Sequence, residues 1–114
     1  MSDVLSAAER TEIEQACERL TYVYGRALDL GDMSAAADCF AQNGSFARPM
    51  NPGLVIQGRE AIRASLITRP KTLLTKHLTT NVMIDVESRD SARGCRHSTT
   101  ERAGRGPCHR WRRS

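Results

Sequence analysis

Early in the chain, apolar residues recur at helical spacing. Ile13, Cys17, Leu20, Tyr24 and Leu28 follow at steps of four, three, four and four, and Ala16, Val23, Ala27 and Leu30 widen the stripe. A stripe of that period is one face of an amphipathic helix, which has to pack on something. Its start is signalled by Ser6-Ala7-Ala8-Glu9, a capping box with serine on an orphan amide and glutamate reaching back. Gly31 is a helix stop, and Asp32 caps a second, small-residue-rich helix over 33–41 that turns Cys39 and Phe40 inward. Asn43-Gly44 marks a turn. A short strand is expected over 45–47, extending toward Met50, followed by a loop at Asn51-Pro52-Gly53 and a short apolar stretch over 54–56. Gly58 opens a third helix, which carries Ala61, Ile62, Ser65 and Leu66 on one face and ends before Pro70.

From about residue 74 to 87 the period becomes two, the signature of a strand. Strict alternation assigns His77, Thr79, Asn81, Met83 and Asp85 to one face. Leu78, Thr80, Val82, Ile84 and Val86 fall on the other, apolar, face. Arg89-Asp90 suits a hairpin turn and residues 91–93 begin a returning strand, but the alternation stops at Gly94. The order helix, helix, strand, strand, helix, long strand, turn predicts an α+β fold with helices covering one face of an antiparallel sheet.

Composition sharpens the break at Gly94. The chain of 114 residues is long enough for one domain. Its formal charge of +4 is unevenly placed: residues 1–94 carry 11 Lys+Arg against 12 Asp+Glu, whereas residues 95–114 carry 6 Arg and one Glu. The same final stretch contains no Val, Ile, Leu, Met, Phe or Tyr. Such a segment buries too little to offset its ordering entropy, so residues 95–114 are expected to form a basic, disordered tail on a domain spanning 1–94. A change of composition in mid-strand is what GC-rich DNA read out of frame yields, and a non-native continuation is the favoured reading. A phosphate-binding tail is disfavoured because its arginines are scattered and interleaved with a single aromatic. A zinc site of Cys95, His97, Cys108 and His109 is disfavoured because the pairs lack the usual ligand spacings. No apolar run spans a bilayer and no signal peptide opens the chain, so a cytoplasmic protein with reduced thiols is expected, and a disulfide framework is not.

Four phrases resemble the SnoaL-like branch of the nuclear transport factor 2-like superfamily. They are residues 22–32 (YVYGRALDLGD), 39–46 (CFAQNGSF), 56–62 (IQGREAI) and 77–86 (HLTTNVMIDV), in the family's order and spacing. The resemblance implies a cone in which a bent antiparallel sheet wraps the helices around a pocket. It also implies cofactor-independent lyase or isomerase chemistry, as in scytalone dehydratase, ketosteroid isomerase and polyketide cyclases. Non-catalytic members share the fold, so fold alone leaves a small-ligand or partner-binding role open. Homo-oligomers are implied for the intact family form, and a sheet stopping at Gly94 would lack pocket walls and contact surface and leave an unpaired edge.

Asp29, near the end of the long helix, and His77, at the start of the long strand, match the family's Asp–His pair. An aspartate beside a histidine orients the imidazole and strengthens its free nitrogen as a general base. Such a base removes a proton next to a carbonyl or a leaving group without metal or organic cofactor. The alternative is a purely structural pair at a helix end. Tyr24 is a candidate hydrogen-bond donor to a substrate oxygen, with core packing as its alternative. Asn81 is placed on the His77 face, and Phe46, Met50, Ile62, Leu66 and Met83 are expected to line a cavity for a small apolar or aromatic molecule.

Overall fold

The computed structural model describes residues 4–48, 50–69, 75–99 and 109–112. Helix α1 runs Ala7–Asp29, α2 Met33–Asp38 and α3 Arg59–Ile67; the strands are β1 Ser45–Arg48, β2 Asn51–Gln57, β3 Leu78–Ser88, β4 Ser91–Thr99 and β5 His109–Arg112. β1 and β2 form an antiparallel hairpin, and β3-β4-β5 form a second antiparallel sheet. α1 packs on β3 and on α2, and α3 packs on α2 and on the β1–β2 hairpin.

Local chemistry accounts for the element ends. The Ser6 hydroxyl accepts from the Glu9 amide at 3.1 Å. The Glu9 carboxylate does not close the capping box; it pairs with Arg89 in the β3–β4 turn and so ties the helix start to the sheet. Gly31, at φ +75°, ends α1, and the Asp32 carboxylate accepts from the Ala35 amide at 3.0 Å to start α2. α2 stops at Asp38, three residues short of expectation. Arg63 of α3 bonds the Asp38 carboxylate at 2.9 Å, and Arg59 donates to the Phe40 carbonyl at 2.7 Å; the chain beyond α2 thus serves as an acceptor for α3 instead of continuing the helix. β2 includes Asn51-Pro52-Gly53, expected as a loop, because the hairpin pairs Arg48 with Asn51.

The core is small. Its buried apolar residues are Ala27, Leu28, Ala36, Ala37, Ile62 and Leu66, with Tyr24, Phe40, Phe46 and Ile56 packed against them. Ile62 and Leu66 are the core face of α3. Phe40 links Tyr24 and Phe46 by edge-to-face contacts at 5.7 Å each, a favoured aromatic geometry.

The long strand departs from strict alternation. Thr80 pairs with His97 and Met83 with Cys95, so Asn81 and Val82 together oppose the single residue Arg96. This is a β-bulge, and Asn81 adopts φ +55°, a conformation that asparagine tolerates better than most side chains. The bulge absorbs one residue. His77 and Thr79 are consequently on the same inward side as Val82, Ile84 and Val86, whereas Leu78, Thr80, Asn81, Met83 and Asp85 are exposed. The expected two faces are thus exchanged over the first part of the strand.

The returning strand continues past Gly94 to Thr99, and β5 pairs with β4 from Ser91↔Arg112 to Gly94↔His109. Backbone pairing does not need aliphatic side chains, and Ala92, Gly94 and Arg96 keep an inward period of two through the compositional break. Cys17 and Cys39 are free thiols, while Cys95 is disulfide-bonded, contrary to the expectation of uniformly reduced cysteines. Among the described residues no helix is long and apolar enough to cross a membrane.

Candidate active site

Asp29 and His77 meet at the seam between the C-terminal end of α1 and the start of β3. The His77 ring Nδ1 lies 2.5 Å from Asp29 Oδ1, and the His77 backbone amide donates to Oδ2 at 2.8 Å. The Thr75 hydroxyl donates to Oδ1 at 3.1 Å and itself accepts from Arg69 Nη2 at 2.5 Å. The carboxylate thus faces three donors from one short segment, and the two side chains of the pair are only 17% and 18% exposed. With the carboxylate as acceptor, the ring proton sits on Nδ1 and Nε2 carries the free lone pair.

The electrostatics follow from this geometry. Burial is the largest single influence on Asp29 and acts to raise its carboxyl. The hydrogen bonds from the His77 amide, the His77 ring and the Thr75 hydroxyl together outweigh burial, and Asp29 lies below the ordinary carboxylate range. It is a fixed anion beside the imidazole. Burial raises the Tyr24 phenol, against opposing fields from Arg96, Arg48 and Arg69, so it remains a neutral donor. Burial also raises the Cys17 and Cys39 thiols, which makes them poor nucleophiles.

A crevice of about 420 Å³ opens at the same seam, lined by Gly25, Arg26, Asp29, Lys76, His77 and Thr79 among others. Gly25 marks the close approach of the two elements: a Cβ there would meet the His77 Cβ at 3.4 Å, an ordinary contact, so the seam has room for a methyl group but not for a larger side chain. Thr21, one turn earlier, is also buried, and its hydroxyl is satisfied by the Cys17 carbonyl at 3.1 Å. Gly25 and Thr75 were not singled out from the sequence. Gly25 breaks the apolar stripe of α1 on its buried side, which is the signal that marks a close approach; Thr75 carries no comparable signal.

Among the described residues, none of the other residues proposed from the sequence is hydrogen-bonded to the pair. Tyr24 and Phe46 belong to the aromatic ladder beside the core, and Ile62 and Leu66 are core residues. Met50 is 91% exposed in the β1–β2 turn and Met83 is 65% exposed on the outer side of β3, so neither lines a cavity. Asn81 faces outward at the bulge, where its amide lies 3.5 Å from His97 Nδ1. Of the zinc set weighed above, Cys108 lies outside the described residues; among those described, no cluster of three metal-binding side chains occurs.

Solved structures show the same architecture. A Mycobacterium tuberculosis protein of unknown function, solved as an aspartate-to-asparagine variant, superposes with TM-score 0.65 at 28% identity, over 74% of this chain and 50% of that one. This chain therefore spans half the length of that relative. A Novosphingobium aromaticivorans protein described as a candidate scytalone dehydratase superposes with TM-score 0.69 at 21% identity, over 90% of this chain and 70% of that one. A candidate dehydratase of the nuclear transport factor 2-like family from Streptomyces avermitilis gives TM-score 0.69 at 18% identity, over 92% and 88%. No curated protein matches the chain in sequence. The SnoaL-like domain model matches residues 8–113, from the first turn of α1 to beyond β5, and the chain belongs to the SnoaL-like domain family.

Proposed function

We propose that the chain carries a cofactor-independent proton-transfer site of the lyase or isomerase type, with His77 as general base and Asp29 as its orienting anion, acting on a small apolar or aromatic molecule. The observation that carries this reading is the 2.5 Å contact between His77 Nδ1 and an Asp29 carboxylate already held by the His77 amide and Thr75. Such fixation commits the ring to one tautomer and leaves Nε2 as the proton acceptor. In the proposed step Nε2 takes a proton from a carbon next to a carbonyl. The electron pair of the broken C–H bond moves to the carbonyl oxygen, or expels a leaving group from the neighbouring carbon. The imidazolium that forms is stabilised by Asp29 and returns its proton to carbon or to the departing group. The dehydratase descriptions of two structural relatives agree with this chemistry.

The test is deuterium exchange at carbon in D2O, followed by proton NMR over a panel of small aromatic ketones and β-hydroxy carbonyl compounds. Wild-type protein is expected to accelerate exchange of at least one of them, and His77→Gln to lower that rate by about 10²–10⁴-fold. Exchange that does not depend on His77, with ligand binding retained, would identify a binding protein rather than an enzyme.

A further inference from the structure

Arg96 is inward-facing on β4, opposite the bulge of β3, and its Nε is completely enclosed with no hydrogen-bond partner among the described residues. An arginine does not escape this situation by losing its proton, and an enclosed guanidinium N–H without an acceptor costs more than a typical hydrogen bond contributes. Three arginines, Arg96, Arg48 and Arg69, act on the Tyr24 phenol. Arg69 is engaged by the Thr75 hydroxyl and Arg48 by Ser65, at 3.3 Å to its hydroxyl. Among the described residues Arg96 has neither kind of partner. The Asp29 carboxylate is occupied by His77 and Thr75, and no carboxylate pairs with Arg96 among the described residues. Arg96 and His77 share the inward side of the β3–β4 pair, and the Tyr24 phenol, within the field of Arg96, heads the aromatic ladder of Tyr24, Phe40 and Phe46.

We infer that Arg96, assisted by the Tyr24 hydroxyl, receives the carboxylate of the ligand, so that the site takes small aromatic carboxylic acids in preference to their neutral counterparts. The inference rests on the proposed function only in placing the ligand beside His77; the anion receptor itself stands on the orphaned guanidinium. The planar fork of arginine suits a carboxylate, and the phenol adds a second donor that remains protonated at neutral pH. The aromatic side chains provide a surface for the ring of the acid. In this arrangement Arg96 is a binding and specificity-determining residue, while the proton is moved by His77.

The experiment compares benzoate with benzamide, which has the same ring and planar head group but no charge, by titration of the ¹⁵N-labelled full chain. Benzoate is expected to bind at least about tenfold more tightly, the scale of a charge-assisted hydrogen bond. Arg96→Gln is expected to erase that preference while leaving benzamide within about twofold, and Arg96→Lys to restore part of it. His77→Gln is expected to keep the preference, so loss of proton transfer and loss of the anion receptor are read separately. Equal binding of the two probes by wild-type protein, no benzoate binding at tens of millimolar, or a preference that survives Arg96→Gln would each overturn the inference. Should Arg96→Gln fail to fold, the wild-type comparison and Arg96→Lys decide the matter.

Discussion

The position of His77 depends on the bulge at Asn81, and that dependence can be tested without knowing any substrate. In a regular strand, residues five apart lie on opposite faces, yet His77 and Val82 share the inward side of β3. Asn81 makes this possible by adopting φ +55°, with Asn81 and Val82 together facing Arg96. Valine at that position would have to take a left-handed conformation that costs an L-residue about 1–2 kcal/mol, and more for a β-branched one than for asparagine. Asn81→Val is therefore expected to lose about 1–2 kcal/mol. That corresponds to a fall in Tm on the order of 4–8 °C per kcal/mol for a domain of this size. Asn81→Gly, which tolerates positive φ freely, is expected to stay within about 0.5 kcal/mol of wild type. Deleting Asn81 outright removes the extra residue, puts His77 and Val82 four apart, and lets a regular strand keep both on the inward side. Thermal unfolding followed by circular dichroism ranks the variants. Asn81→Val as stable as Asn81→Gly, or a deletion less stable than Asn81→Val, would refute the bulge as the device that sets the face of His77.

Three further outcomes follow from the same structure. Asp29 lies below the ordinary carboxylate range when folded, whereas in the unfolded chain it titrates within that range, so the unfolded chain takes up the proton first; the stabilisation from Asp29 is full above the ordinary range and lost as pH falls through the native value. A Tm series from pH 7 to pH 2 should show this decline in wild type and a flatter curve, from a lower starting point, in Asp29→Asn. Ile62 is fully buried, and Ile62→Ala should cost about 2–5 kcal/mol, enough to bring a domain with so few large buried side chains near its unfolding limit in urea. Gly25→Ala makes only an ordinary contact with His77 and improves helix propensity, so its Tm should hold or rise, whereas Gly25→Leu should displace the imidazole and abolish His77-dependent exchange.

Much of this fold was legible because its signals are local. Ser6, Gly31, Asp32, Gly44 and Gly58 each act through their own backbone or a side chain a few residues away, and the elements begin and end there. The dyad is a different matter: Asp29 and His77 are 48 residues apart, and only a family resemblance links them before the chain is folded. The bulge was missed because alternation counts residues and a bulge adds one. An asparagine at the centre of an otherwise β-prone run was the available sign, since it disfavours strands and tolerates positive φ. Met50 and Met83 were misplaced for another reason: apolar character permits burial but does not require it. The compositional break at Gly94 described side chains correctly and backbone poorly, because ladder hydrogen bonds in β4 are indifferent to the loss of aliphatic residues.

Asp29 does two jobs with one carboxylate, and this decides how the site should be dissected. Oδ2 accepts the backbone amide of His77 and so pins β3 to α1, a fold-level contact; Oδ1 faces the imidazole and the Thr75 hydroxyl, a contact that serves the base. Asparagine at position 29 would present an NH2 group to at least one of these donors. It would then either release the strand or turn its amide and lose the ring. A rate lost in Asp29→Asn is therefore a mixture of folding and chemistry, and the two are not separable from that variant alone. His77→Gln keeps the backbone amide and hence the Oδ2 contact, removes only the imidazole, and leaves the seam closed. It is the variant whose lost rate reports on proton transfer. Comparing its Tm with that of Asp29→Asn measures the contribution of the strand-pinning bond.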